Sequence, residues 1–177
     1  MQLPVGAFHM NFTSNHDENS WNGTEMERMG DARFAMAVMA ATIQGMPLVY
    51  NGQETSLDRR LKFFEKDTIN WDKMDLVDFY TRLLHMHQKY PALYVGTQQT
   101  APKFLSTKDQ KDLLIYTREQ GESKVLVMIN LSAKAQKVSL NTAAAGTYRN
   151  LFTDKKETLK DKQSLTLAPW GYAVYVQ

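Results

Sequence analysis

The 177-residue chain contains no cysteine. That excludes disulfides, thiolate metal sites and thiol nucleophiles, and it leaves the compartment open. Long apolar runs are also missing, and none approaches the ~20 residues of a membrane span. The opening Met1-Gln2-Leu3-Pro4-Val5 lacks the basic start, apolar core and cleavage site of a signal peptide, so the leader of an exported parent would lie upstream. Charge of one sign is scarce: the formal net charge is +2. The loose cluster of Lys155, Lys156, Lys160 and Lys162 reads as a solvated loop, because sustained basic runs are what mark a nucleic-acid partner. No serine has a nucleophile-elbow context, and no Gly-rich phosphate loop or internal repeat is present. Hydrophobic residues at 43% and charged residues at 23% describe a soluble, globular chain rather than a disordered one.

The chain changes character near Pro91-Ala92. Before it, helix-like segments alternate with short apolar runs, the rhythm of a parallel α/β fold. Residues 6–12 read as a strand leading into a polar loop. Thr24-Glu25-Met26-Glu27 has the form of a capping box, and the spacing predicts one helix from there to about Gln44. Phe34, Ala35, Val38, Met39 and Thr42 would share its buried face. Gly45 fits the position just past a helix end, and Pro47 stops the helix. Residues 46–50 read as a buried parallel strand. Asp72 looks like the cap of a further helix, with Leu76, Phe79, Tyr80, Leu83, Leu84 and His87 on one face. Two such strand–helix units are a fraction of a (β/α)8 barrel, which takes eight units and ~250 residues. From Val95 onward strands are expected at 103–106, 113–118, 125–130, 136–140, 148–152, 157–159, 164–167 and 172–176. Strands this short, spaced at roughly 8–12 residues, argue an antiparallel sandwich. The expected architecture is therefore α/β plus all-β, with a barrel part at 1–92 and an antiparallel β-sandwich at 93–177.

Parallel barrels carry their sites on loops after the C-terminal strand ends. Two such loops occur here, Asn15-His16-Asp17-Glu18-Asn19 and Asn51-Gly52-Gln53-Glu54. Carboxylates, amides and imidazole gathered there suit a ligand rich in hydroxyls, and Trp21 would add an aromatic face for a sugar ring. Asp17 and Glu18 are adjacent and diverge, so they make a poor acid/base pair. Asp17 and Glu54 follow neighbouring strands, but the plainer role for Glu54 is to anchor its own loop. His85 and His87, two apart on a helix, face different ways, His85 to solvent and His87 into packing. His9, in a strand, reads as a core residue or a support for a site residue. His16 stands apart through its flanking Asn and Asp. Asn11, Asn22 and Asn130 match the glycosylation sequon, a pattern common by chance.

Phe12-Thr13-Ser14-Asn15-His16-Asp17 resembles the fourth conserved segment of the alpha-amylase family of glycoside hydrolases, the one after barrel strand seven. Gly45-Met46-Pro47-Leu48-Val49-Tyr50-Asn51-Gly52-Gln53-Glu54 is similar to that family's later segment at strand eight, and the separation of one helix fits. The stretch 59–71, with Phe63-Phe64 and Ile69-Asn70-Trp71, resembles the loop that follows, and 83–93 the helix that ends the barrel. Residues 125–132 and 165–176 resemble the family's C-terminal β-domain. The resemblance implies that residues 1–92 hold the last two β/α units of the barrel.

It also implies roles. Asp17 would stabilise the transition state by hydrogen-bonding sugar hydroxyls at the cleavage point, and His16 would bind the same sugar, with Asn15 and Trp21 beside it. Gly45, Pro47, Tyr50, Gly52 and Glu54 would be architectural. The family's nucleophile and general acid match no position here, so the chain is expected to be inactive alone. No cofactor is implied for this chain; calcium belongs to full-length members, whose ligands mostly lie upstream. The implied partner is an α-glucan oligosaccharide such as starch or maltooligosaccharide. The competing reading is a non-catalytic structural or interaction module. An incomplete barrel leaves open strand edges and an uncovered apolar helix face. Residues 1–92 should therefore self-associate, pack on the β-domain or be partly disordered.

Overall fold

A computed structural model describes residues 3–106 and 110–177. The reading of the opening residues as no leader rests partly on Met1 and Gln2, which lie outside the described residues. In the first half, strand β1 (Met10–Asn11) is followed by helices α1 (Glu25–Met29) and α2 (Arg33–Thr42), strand β2 (Met46–Pro47) and helix α3 (Val77–Lys89). β1 and β2 pair in parallel, Met10 opposite Met46 and Asn11 opposite Pro47. The strands are shorter than the expected 6–12 and 46–50. Neither has a second strand beside it among the described residues, so the ladder stops after a few bonds. His9 lies just before β1 and is exposed, a correction to its reading as a strand residue in the core or supporting a site residue.

The capping box forms. The Thr24 hydroxyl accepts from Glu27 N, and the Glu27 carboxylate accepts from Thr24 N. The single long helix does not. Gly30, at φ +53°, ends α1, and a short 3-10 turn separates it from α2. In α2 the buried residues are Ala35, Ala37, Val38, Ala41 and Thr42, while Phe34 and Met39 are only partly covered. Gly45 is not a left-handed helix cap, since Ile43 ends α2 with extended backbone. Its φ of +129° and the closeness of β1 explain the glycine: a Cβ would stand 2.7 Å from His9 O and 2.6 Å from Asn11 Nδ2. Asp72 does not cap α3, which begins after Leu76 without a side-chain cap.

Each of the eight strands expected after Val95 is present, though β3, β6 and β7 end earlier than expected: β3 (Lys103–Phe104), β4 (Leu113–Gln120), β5 (Ser123–Asn130), β6 (Gln136–Ser139), β7 (Gly146–Asn150), β8 (Lys156–Leu159), β9 (Ser164–Leu167) and β10 (Tyr172–Val176). Six of them form an antiparallel sheet in the order β3-β4-β5-β10-β7-β8, and β6-β9 form a separate ribbon. Gln120 pairs with Ser123, so the β4–β5 hairpin turns on Gly121-Glu122, with Gly121 in the left-handed region at φ +57°. The sandwich is thus lopsided: six strands face a two-stranded cover.

The alternation in β5 explains how both faces of the large sheet are used. Val125, Val127 and Ile129 face α2 and α3, forming one core with Ala35, Val38, Leu83, Met86 and Val174. Leu126 and Met128 point the other way, toward Val138, Leu140 and Leu167 around the ribbon. Each such buried side chain contributes roughly 1.5–3 kcal/mol of transfer free energy. The two halves therefore share a core, and the helices pack on the β-domain. Among the three expected behaviours of residues 1–92, this packing is the one observed.

Candidate functional site

Because β1 and β2 run in parallel, the loops that follow them emerge at the same end. The first begins at Thr13 and folds back on itself. Asn15 Oδ1 accepts from Glu18 N at 2.8 Å, and Asn15 O accepts from Asn19 N at 2.9 Å. The turn then widens, with Gly23 N donating to the Glu18 carbonyl five residues back. Arg28 closes the loop from below, donating to Thr13 O at 2.6 Å and to Gly23 O at 2.9 Å. Its Nη1 stands 3.6 Å from Glu18 Oε2. His16 and Asp17 are left on the outer rim. His16 Nε2 lies 3.7 Å from Asp17 Oδ2, and the two side chains are 67% and 59% exposed. Asn15 is half-buried and already commits its oxygen to the loop.

The second loop is tied to the first by Gln53. Its Oε1 accepts from Tyr50 N at 2.6 Å, and its Nε2 lies 2.9 Å from Thr13 Oγ1, 2.7 Å from Glu25 Oε1 and 3.0 Å from Tyr80 Oη. Thr13 also donates to the Glu25 carboxylate. Burial pushes the Glu25 carboxyl above its ordinary value, against the lowering pull of Thr13, Arg28, Arg33 and Gln53. Burial likewise pushes the Tyr80 phenol up, with the nearby Glu25 charge adding to it. Glu54 turns back on its own loop and accepts from Gly52 N at 3.0 Å, the loop-anchoring contact expected of it. Gly52 has φ +99°, and a Cβ there would meet Leu57 at 2.8 Å.

A third segment, 57–68, lies against the first loop. Asn19 Nδ2 donates to Arg59 O at 3.2 Å, and its Oδ1 accepts from Leu61 N at 2.7 Å. Ser20 Oγ donates to Leu61 O at 2.8 Å. Arg59 and Asp67 close the segment with a 2.7 Å ion pair, which, with the Lys62 and Thr68 amides, holds the Asp67 carboxyl well below the usual range. These ties place Phe63 beside His16, with ring centroids 5.9 Å apart, and beside Trp21 at 5.2 Å. The arrangement offers a carboxylate, an imidazole and aromatic faces on one exposed rim. That combination suits a ligand with hydroxyls on its edge and C–H groups on its face.

The structure thus brings Asp17, His16 and Trp21 to one surface, with Gly45 just before β2, Pro47 within it, and Tyr50, Gly52 and Glu54 in the loop that follows it. Sequence reasoning missed Gln53 and Glu25 as the tie between the loops, and Phe63 as a neighbour of His16. The last had a signal, an aromatic pair in an otherwise charged loop. Among the described residues no three His, Asp or Glu side chains come close enough together to hold a metal ion. Among the described helices none is long and apolar enough to cross a membrane. Asn130 is fully buried, donating to Lys134 O and Ala168 O, so its sequon is a structural turn.

Residues 103–174 match the family described as Maltogenic Amylase, C-terminal domain. Alpha-amylase 2 of Dictyoglomus thermophilum is 32% identical over 175 residues, covering 90% of this chain and 28% of that protein. The chain therefore spans less than a third of this curated relative. A noncanonic maltogenic alpha-amylase from Thermotoga neapolitana has the same fold, with a TM-score of 0.78 at 18% identity, over 98% of this chain and 42% of that one. AmyP crystallised with maltose aligns with a TM-score of 0.67 at 16% identity, over 98% of this chain and 41% of that one. Sequence and fold agree in matching this chain to the C-terminal part of the alpha-amylase family of glycoside hydrolases.

Proposed function

We propose that this chain supplies the sugar-holding rim of a retaining glycoside hydrolase that acts on α-glucans. In this reading residues 1–92 are the last two β/α units of a (β/α)8 barrel. The parallel β1–β2 pair, with helices between and after the strands, supports that assignment. Asp17 accepts hydrogen bonds from hydroxyls of the sugar at the cleavage point, and these strengthen as positive charge develops on the ring. His16 holds the same sugar, and Asn15 and Trp21 flank it. The observation that carries the reading is the shared exposure of Asp17 and His16 on the loop at the C-terminal end of a parallel strand. The maltose bound to a structural neighbour supports a neutral glucose oligomer as the ligand class.

Bond cleavage needs a nucleophile and a general acid about 5–5.5 Å apart. No carboxylate of this chain matches the family's segments for either, so both come from parts of the enzyme outside this sequence. The purified chain should bind maltotriose weakly and saturably in an NMR titration, and Asp17→Ala should weaken that binding. Unchanged binding by the variant would overturn the reading. Incubated with maltoheptaose, the chain should release no product; sustained turnover abolished by Asp17→Ala would show that the reacting groups are present after all.

A second reading, a non-catalytic structural module, draws on the core that α2 and α3 share with the sheet. It predicts no saturable sugar binding. In either reading the open β1–β2 edges, with Met10, Phe12 and Met46 exposed beside them, favour self-association, which sedimentation at increasing concentration measures.

A further inference from the structure

Phe64 is 85% exposed, Trp21 56% and Phe63 39%. The three rings form one cluster. Phe63 and Phe64 meet edge-on at 4.8 Å, and Trp21 stands 5.2 Å from Phe63 and 6.0 Å from Phe64. His16 extends the row, its imidazole stacked on Phe63 at an interplanar angle of 30°. The row thus begins at a hydrogen-bonding pair, His16 and Asp17, and ends in apolar rings facing water.

We infer that Trp21, Phe63 and Phe64 form a separate aromatic subsite, which takes the next glucose ring of an α-glucan whose first ring is held by Asp17 and His16. The inference rests on the proposed function and extends it by one ring. A pyranose has an apolar C–H face and a polar edge. It needs an aromatic surface below and polar groups at the rim, and both are present. Lys62 and Glu65, paired at 2.7 Å, flank the phenylalanines, and Asn22 donates to Glu18 at 3.1 Å next to Trp21. A protein surface docking here would have to strip water from these charged groups, whereas hydroxyls can replace it.

The shelf is also held in place before any ligand arrives. Asn19 and Ser20, just before Trp21, are bonded to the backbone of Arg59 and Leu61, just before Phe63. The Arg59–Asp67 pair closes the loop that carries both phenylalanines. Little ordering is left for the ligand to impose, so ring contact is retained as affinity.

The test compares one ring with several. The 177-residue chain and its Phe64→Ala, Phe64→Tyr and Asp17→Ala variants are titrated by NMR with methyl α-glucoside and with maltotriose. Phe64 is exposed, so its removal leaves the fold intact. Phe64→Ala should weaken maltotriose about three- to tenfold and leave methyl α-glucoside unchanged. Phe64→Tyr, which keeps the ring, should restore maltotriose binding, and Asp17→Ala should weaken both ligands. Should Phe64→Ala leave maltotriose unchanged while Asp17→Ala weakens it, the aromatic subsite is wrong and the proposed function stands. Equal weakening of both ligands by Phe64→Ala would place the ring in the first subsite and overturn the inference. If Phe64→Ala leaves maltotriose unchanged but lowers self-association, the rings are a protein contact and the inference fails. Absence of saturable binding by either sugar would remove both the subsite and the reading beneath it.

Discussion

The hydroxyls of Thr42 and Tyr116 meet at 2.5 Å across the seam between the end of α2 and the central sheet. Both residues are fully buried, and Thr42 also lies 2.6 Å from the Val38 carbonyl in its own helix. With the Thr42 hydrogen given to the Val38 carbonyl, the Tyr116 hydroxyl donates to the Thr42 oxygen. Burial pushes the Tyr116 phenol well above its ordinary value, so it remains a neutral donor throughout the working range. Tyr116→Phe removes one hydrogen bond and keeps the ring. It should cost about 1 kcal/mol in urea unfolding. Thr42→Val leaves the Tyr116 hydroxyl without its partner and should cost more.

Arg118 sits on the same seam with no solvent exposure. Its Nη1 donates to Thr42 O at 3.1 Å, while Nε and Nη2 are buried without a hydrogen-bond partner. Favourable placement of a cation at the end of α2 is set against the loss of water from most of the guanidinium. Burial accordingly lowers its pKa. Arg118→Met keeps much of the volume and removes the stranded donors. Its unfolding free energy should equal or exceed that of the parent, whereas Arg118→Ala should destabilise by about 2–4 kcal/mol through the cavity it leaves.

Glu25 makes stability depend on pH in a definite direction. Its carboxyl is raised in the folded chain, with burial the largest cause. The protonated form is favoured by folding. The associated stability is complete below the ordinary carboxylate value and is lost as pH rises through the raised one. Glu25→Gln cannot ionise, yet its oxygen can still accept from Thr13 and Gln53. Relative to the parent, the variant should therefore gain stability between about pH 4 and about pH 7. Urea melts at the two values check this, and a constant difference would refute it.

Gly45→Ala should be among the most damaging single methyl additions. The new Cβ would press on the His9 carbonyl at 2.7 Å, a backbone atom that cannot move away without breaking its bond from Met46 N. A loss of roughly 2 kcal/mol or more is expected, from the clash and the φ of +129° together. Amide exchange should show Met46 and Leu48, the donors of the parallel ladder, losing protection first.

Much of the fold was legible because the information was local. The capping box at Thr24 and Glu27 lies within four residues, and the alternation from Val125 to Asn130 declares a strand with two buried faces. The break at Gly30 was not legible, since a glycine within a helical pattern is usually tolerated. Nor was the uncapped start of α3, where Asp72 mimics a cap that the chain does not use. Arg118 reads on paper as an ordinary strand residue. Only the packing of α2 on β4 shows that its face of the sheet is closed.

The sequence by itself determined the strand positions of the β-domain, the two strand-end loops and the place of Asp17 and His16 within one of them. These follow from periodicity, turn residues and motif, all read over a few neighbouring positions. The tertiary structure decided which loops touch. Gln53 joins Thr13 and Glu25, and Asn19 fastens the segment that brings Phe63 and Phe64 to His16. Those contacts span about 28 to 47 positions along the chain. Hydrogen bonds at such separations form only once the cores have set the backbone in place, so no local pattern announces them.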